Sequence, residues 1–209
     1  MILIEKTQTL GWEEAIRGMR NPLESWKNSD SHYAEMPDDD IFIVGDNDYE
    51  LMKKLVKAGS DHSKFMRMIS VYCDITAPLF WWKEADTYKV GTVRNSCSTM
   101  HKLASKPITT NDFSCETCAE DDDIWCEFGL RVEACEAVRK KFNETGDKRY
   151  WRMLIEMLPE SYNQRSTVML NYAVLRNMYH ARKNHKLKEW HDFCEWIEGL
   201  PYSELITME

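Results

Sequence analysis

Glycine is scarce in this 209-residue chain. There are eight, and none falls in G-x-G-x-x-G or in G-x-x-x-x-G-K-[ST], so the dinucleotide fingerprint and the phosphate loop are both missing. Long apolar runs are missing too. The nearest is Ile75-Thr-Ala-Pro-Leu-Phe-Trp-Trp82, far short of the roughly 20 residues a bilayer crossing needs, so membrane insertion is not expected. Basic charge is in deficit: a net charge of -8 and a pI near 5.3 exclude a surface that grips a nucleic-acid polymer by its phosphates, while leaving room for a local basic pocket. No apolar leader segment precedes the cysteines, and their number is odd, seven. They read as reduced thiols, and the expected compartment is the cytoplasm. No internal repeat or low-complexity tract is found.

Large side chains are plentiful. Eight Trp, nine Tyr, seven Phe and twelve Met within a 43% apolar chain are enough for a sizeable core, and the length suits a single domain spanning 1–209. Met1-Ile-Leu-Ile4 reads as an edge strand. Trp12 to Met19 has helical spacing closed by Gly18, Asn21 and Pro22. Residues 25–40 lack a period and read as a long surface loop. After Ile41-Phe-Ile-Val44, a strand or short connector, Asp46 or Asn47 is placed to cap a helix carrying Leu51, Met52, Leu55 and Val56, ended by Gly59. A short helix over 62–68 leads to a half-buried strand on Ile69, Val71, Cys73 and Ile75, which Pro78 breaks. Helices then dominate: about 123–144, 147–157, 161–183 and 186–198, punctuated by Gly146, Pro159 and Gly199. The class is α+β, a small mixed or antiparallel sheet packed with several helices, and the C-terminal half is helix-rich.

Chemistry-bearing signals are sparse. Cys115-Glu-Thr-Cys118 with Cys126 and Cys135 offers four thiols to a tetrahedral zinc. The last two sit nine apart on one helix and point to different faces, so free thiols are preferred and no metal site is assigned. Asp121-Asp-Asp123 suits a helix start better than a metal site. Of the consecutive Trp81 and Trp82, one is expected in the core and one at a cleft.

The last third is the most informative. Within the expected 161–183 helix, Asn171, Leu175, Met178 and Arg182 form one stripe at 100° per residue, and Arg165 stands near its beginning. Guanidinium matches phosphate oxygens bidentately, and a carboxamide offers donor and acceptor together, so these residues suit a nucleotide. The alternative is an exposed helix with ordinary surface arginines.

The order of motifs resembles the flavin-dependent thymidylate synthase family, ThyX, over roughly residues 45–200. Leu51 to Arg67 stands where the family has a helix and an H-x-S-x-x-E-H turn, of which Ser63 is retained. Trp82-Lys-Glu-Ala85 stands at the R-H-R signature. Asn95-Ser-Cys-Ser-Thr-Met-His101 stands at N-E-x-S-x-R-Y, keeping Asn95 and Ser98, with His101 at the Tyr position. Leu158-Pro159, Tyr162, Arg165, Asn171, Leu175 and Arg182 align without gaps with the family's C-terminal segment, and Glu189 aligns with a later A-Q-x-E-I element. The W-W-K-x-x-D-T-Y-K-x-G-T-V pattern is similar to a divergent phage and gut-bacterial branch.

This resemblance implies a ThyX-like fold and a homotetramer with sites between chains. It also implies FAD as cofactor and C5 methylation of a dUMP-like pyrimidine nucleotide with a folate as methylene donor. It places Trp82, Lys83, Asn95 and Asn171 at the cofactor, and Ser98, His101, Arg165 and Arg182 at the substrate. No catalytic residue is assigned. The loss of R-H-R leaves a second reading open, a catalytically altered nucleotide-binding or interaction protein on the same fold.

Overall fold

The computed structural model describes residues 2–35 and 41–209. In chain order the elements are β1 (Leu3–Leu10), α1 (Trp12–Arg20), β2 (His32–Ala34), β3 (Ile41–Ile43), α2 (Asp46–Lys57), β4 (Ser70–Pro78), α3 (Leu79–Ala85) and β5 (Val93–Ser96). They continue with α4 (Thr99–Lys102), α5 (Asp122–Thr145), α6 (Lys148–Met157), β6 (Asn163–Asn171), α7 (Tyr172–Arg182), α8 (Lys188–Glu198) and α9 (Glu204–Thr207). Four strands pair in the order β1-β4-β6-β5, and β2 pairs antiparallel with β3, Tyr33 opposite Phe42. The fold is α+β, as expected. Among the described residues, no helix is long and apolar enough to cross a membrane.

The chain divides into two compact units. The first comprises Met1–Glu5, Asp74–Thr87 and Arg94–Thr167; the second comprises Lys6–Cys73, Tyr88–Val93 and Val168–Glu209. In the first unit, Leu103, Ile108, Phe113, Val132, Cys135, Leu154 and Tyr162 form the core, drawn from α5, α6 and the segments that flank them. The side chain of Asp121 caps α5 by accepting from the Asp123 and Ile124 N–H groups, so the acidic run is a helix start. Trp81 and Trp82 are both buried, which corrects the expected division between core and cleft.

In the second unit, α1 buries Trp12, Ala15, Ile16 and Arg20, an amphipathic stripe at three- and four-residue spacing. Trp12 meets Tyr172 and Tyr202 edge to face at centroid distances of 5.2 and 5.0 Å. Trp190, Phe193 and Ile197 of α8 are fully buried with Leu175 of α7 and Leu205 of α9. The segment expected to be a loop over 25–40 contains a 3-10 turn at Trp26–Asn28 and strand β2; its residues 36–40 lie outside the described residues.

Neither Asp46 nor Asn47 caps α2. The N-cap is Gly45, and Asp30 supplies the acceptors from a distance: Oδ2 takes the Asn47 N–H at 2.9 Å and Oδ1 the Asp48 N–H at 3.2 Å. A side chain at Gly45 would collide with Asp30, its Cβ lying 2.3 Å from the Asp30 carboxyl carbon.

The expected helix over 161–183 is the main correction. Residues Asn163–Asn171 form strand β6, and only Tyr172–Arg182 is helical. Ser166, Val168 and Leu170 are buried, with Thr167 exposed between the first two, a period of two that continues the sheet. Helix α7 starts where the Asn171 side chain accepts the Val174 N–H at 2.9 Å.

Candidate functional site

Two groups of polar side chains carry chemistry, one in each unit. In the first unit, Trp82 on α3 donates its indole N–H to the Gln164 carbonyl at 2.9 Å. The Arg94 guanidinium sits over the Trp82 ring, 3.7 Å from a ring centroid. Arg94 also grips both oxygens of Asp86 at 2.8 and 2.6 Å, Gln164 Oε1 at 2.5 Å and Ser166 Oγ at 2.9 Å. This residue was missed in the sequence, where no local pattern marks it. Lys83, next along α3, is exposed and paired with Glu160.

Residues 95–101 run beside the start of β6. The Cys97 N–H donates to the Arg165 carbonyl at 2.8 Å, and Gln164 Nε2 donates to the Cys97 carbonyl at 2.7 Å. Asn95 is exposed on β5. Ser98 caps α4 by accepting the His101 N–H at 3.1 Å, so Ser98 and His101 are brought together, with the His101 side chain exposed. Arg165 lies on a strand rather than at a helix start. Its Nη1 donates to Glu5 at 2.9 Å and its Nη2 to Asp74 at 2.8 Å, and Asp74 also accepts from the Thr167 hydroxyl at 2.5 Å. The Asp74 hydrogen bond holds the Arg165 pKa above its ordinary value, with Glu5 adding to it against a smaller effect of burial.

In the second unit a cleft of about 530 Å³ lies between the turn after α2, residues Val90 and Gly91, and the first half of α7. Its polar lining is Ser60, Ser63, Arg67, Asn171, Arg176 and Asn177, with no carboxylate among the described residues. That composition stands out in a chain with 35 Asp and Glu against 27 Lys and Arg. Gly91 has φ of 79°, and a Cβ there would stand 2.4 Å from Asn171 Nδ2. Only glycine accommodates both the left-handed backbone and the approach of the carboxamide. Because Asn171 Oδ1 is held by the α7 cap, the NH₂ end faces Gly91. The neighbouring Thr92 Oγ1 is buried with no hydrogen-bond partner among the described residues.

Arg176 Nη1 donates to the carbonyls of Ile206 at 3.0 Å and Met208 at 2.5 Å, and burial lowers its pKa from the ordinary value. Arg182 does not line this cleft. Its Nε donates to the Tyr88 hydroxyl at 2.9 Å, and its guanidinium lies 4.8 Å from a Trp190 ring centroid. Of the residues singled out in the sequence as binding candidates, Asn171 alone lines the cleft; Ser63 and Arg67, noted there as positions of the turn, join it. Gly91, Arg176 and Asn177 were missed, although Arg176 and Asn177 lie between Leu175 and Met178, two α7 residues that the sequence stripe had marked.

These elements define the ThyX class of α+β fold. No protein-family model and no curated protein sequence matches the chain. Among solved structures, it is similar to thymidylate synthase X from Helicobacter pylori with FAD and dUMP, at a TM-score of 0.72 and 17% identity over 100% of this chain and 98% of that one. A second structure of the Helicobacter pylori enzyme with FAD and dUMP gives 0.71 and 18%, over 99% and 97%. The UMP/dUMP methylase PolB from Streptomyces cacaoi bound with 5-Br UMP gives 0.66 and 11%, over 99% and 93%.

Proposed function

We propose that this chain is a flavin-dependent thymidylate synthase-like protein that binds FAD and modifies a dUMP-like pyrimidine nucleotide at C5. The observation that carries the reading is the cleft of the second unit, without a carboxylate among its described lining residues and lined by Arg67, Arg176 and four hydroxyl or carboxamide side chains on an otherwise acidic chain. An anionic dinucleotide needs local cations and neutral donors in this combination. The solved structures with this fold hold FAD, dUMP or 5-Br UMP, which supports the same ligand classes here.

The residues present fit the phosphate-bearing part of FAD. Arg67 and Ser63 from the turn after α2, and Asn177 from α7, would face its phosphate oxygens. The Gly91 backbone leaves space that a side chain would fill, and Asn171 offers its NH₂ donor beside it. When bound, flavin supplies the hydride that reduces a folate-derived methylene on the pyrimidine.

Within the first unit, Ser98, His101 and Arg165 are proposed to hold the nucleotide. Arg165 would take the phosphate in exchange for its half-exposed Glu5 partner while Asp74 keeps the guanidinium oriented. Ser98 and Asn95 would serve as neutral hydrogen-bond partners of the base or sugar. A homotetramer with sites between chains belongs to this reading.

A second reading, nucleotide binding without methyl transfer, is favoured by one observation. Arg94 and Arg165 are both already bound to carboxylates, Arg94 to Asp86 and Arg165 to Glu5 and Asp74. Fluorescence quenching of added FAD, followed by calorimetry with dUMP and an assay for dTMP formation with methylene-tetrahydrofolate, separates the readings. FAD and dUMP binding with turnover supports the first; binding without turnover supports the second. Failure to bind either ligand overturns both.

A further inference from the structure

We infer that the second unit carries another ligand site, for a planar aromatic carboxylate, in the cleft between α1 and the paired strands β2 and β3. The cleft measures about 320 Å³, at the lower end of the roughly 300–1,000 Å³ typical of small-molecule sites. It shares no lining residue with the proposed FAD cleft.

Three aromatic side chains form its walls. Tyr33 and Phe42, paired across the two strands, meet edge to face at 5.0 Å between centroids. Trp26 stands half exposed, and its indole N–H donates to Asn21 Oδ1 at 2.9 Å, which fixes the ring without burying it. Aromatic walls of this kind favour a flat ring by stacking and edge contacts.

The floor supplies charge. Arg20 is only 5% exposed. Its Nε donates to Asp48 Oδ1 at 2.6 Å, its Nη1 to the Ser25 carbonyl at 3.3 Å and its Nη2 to the Asn28 carbonyl at 3.1 Å. A guanidinium has five N–H groups, so one on each terminal nitrogen is left without an acceptor among the described residues. A carboxylate takes two such donors at once.

Asp48 does not line the cleft and does not compete for the ligand's place. Its oxygens already accept from Arg20, from the hydroxyls of Ser29 and Ser31, and from the N–H groups of Asp30 and Ser31. Arg17 and Glu13 also line the cleft: Arg17 is largely exposed, and its partner Glu13, 3.7 Å away, also accepts from the Tyr33 hydroxyl. That arrangement leaves Arg17 able to turn toward an anion, whereas Glu13 is already shared between two donors.

A charge series on one ring tests the assignment by calorimetry of the full chain with nicotinate, nicotinamide and 1-methylnicotinamide, whose ring nitrogen carries a permanent positive charge. Saturable binding of nicotinate, at least about tenfold weaker binding of the amide and none of the cation is the expected result. Arg20 is too tightly built into the fold to be a clean variant, so the wall is tested instead. Trp26→Ala should weaken nicotinate binding by about tenfold while leaving the circular dichroism spectrum and thermal midpoint unchanged, because Trp26 is half exposed. Absence of saturable nicotinate binding, equal binding of the three compounds, preference for the cation, or a Trp26→Ala protein that binds as wild type would overturn the inference.

Discussion

The Arg94 guanidinium carbon sits over the buried Trp82 ring, 3.7 Å from a ring centroid, and is fixed there by Asp86, Gln164 and Ser166, so one side chain ties α3, β5 and β6 together in the first unit. Cation–π contacts that are partly desolvated contribute about 0.5–2 kcal/mol, and bonds to charged groups add to that. Arg94→Ala should therefore lower the unfolding free energy in urea by about 2–3 kcal/mol. Arg94→Lys should recover less than half of the loss, since an ammonium cannot reproduce the planar fork.

For the proposed FAD cleft, Arg67→Ala should weaken FAD binding by about tenfold to a hundredfold, the range expected for one charge-assisted contact to a phosphate. Arg131, exposed on α5, is the control and should change binding little. Arg139 of the same helix is unsuitable as a control. It is buried, bonded to both oxygens of Glu136 and to the Ala104 carbonyl, and its loss would disturb folding. Fluorescence titration of the two variants decides the matter; equal affinities would remove Arg67 from the site.

Gly91→Ala should act on structure and binding together. The positive φ and the 2.4 Å approach of Asn171 Nδ2 both oppose a Cβ, at a cost of roughly 1–3 kcal/mol, and Asn171 must move. A lowered thermal midpoint with weakened FAD binding is expected. Unchanged values for both would contradict the close approach.

Acid stability should depend on Glu136. The hydrogen bond from Arg139 is the largest cause holding its pKa down at about 2, opposed by burial and helped by the Ile108 N–H. A carboxyl depressed on folding contributes stability that is fully present above the ordinary carboxylate pKa and is lost as pH falls through the folded value. The loss should fall between about pH 4.5 and pH 2. Glu136→Gln should flatten the dependence of urea midpoint on pH in that window and leave a less stable protein at pH 7.

The proposed between-chain site requires assembly. Multi-angle light scattering at micromolar concentration should give about four times the 24.7 kDa chain mass. A monomer mass would remove the shared-site arrangement from the proposal while leaving the single-chain clefts intact.

What could be read from the sequence follows the strength of the periods. Helices α1, α2, α5, α6 and α8 carry apolar residues at three- and four-residue spacing with clear punctuation, and β4 alternates cleanly, so their existence was legible. Strand β6 and helix α7 were fused into one helix because no Gly or Pro separates them and Val168, Met169 and Leu170 satisfy either period over a few residues. Asn171 held the missing boundary, as a cap three residues before Val174.

Long-range partnerships were not legible. Arg165 reads as a free cation next to a helix, yet its partners Glu5 and Asp74 come from strands 160 and 91 positions away. The gap-free match of Tyr162, Arg165, Asn171 and Arg182 to the ThyX pattern identified the fold but not which of these side chains share a cleft.

The cap of α2 has a consequence for the order in which the second unit forms. Because Asp30 closes the first turn of α2 and Asp48, inside that turn, fastens Arg20 and the Ser29 and Ser31 hydroxyls, the helix is not an autonomous nucleus. An isolated peptide of residues 45–58 would fray at its N-terminus, and the turn gains its bonds only after a loop of some 17 residues has closed. Amide hydrogens at the start of α2 are therefore coupled to those of the 29–31 segment, and the two exchange with solvent as one cooperative opening rather than as separate ones.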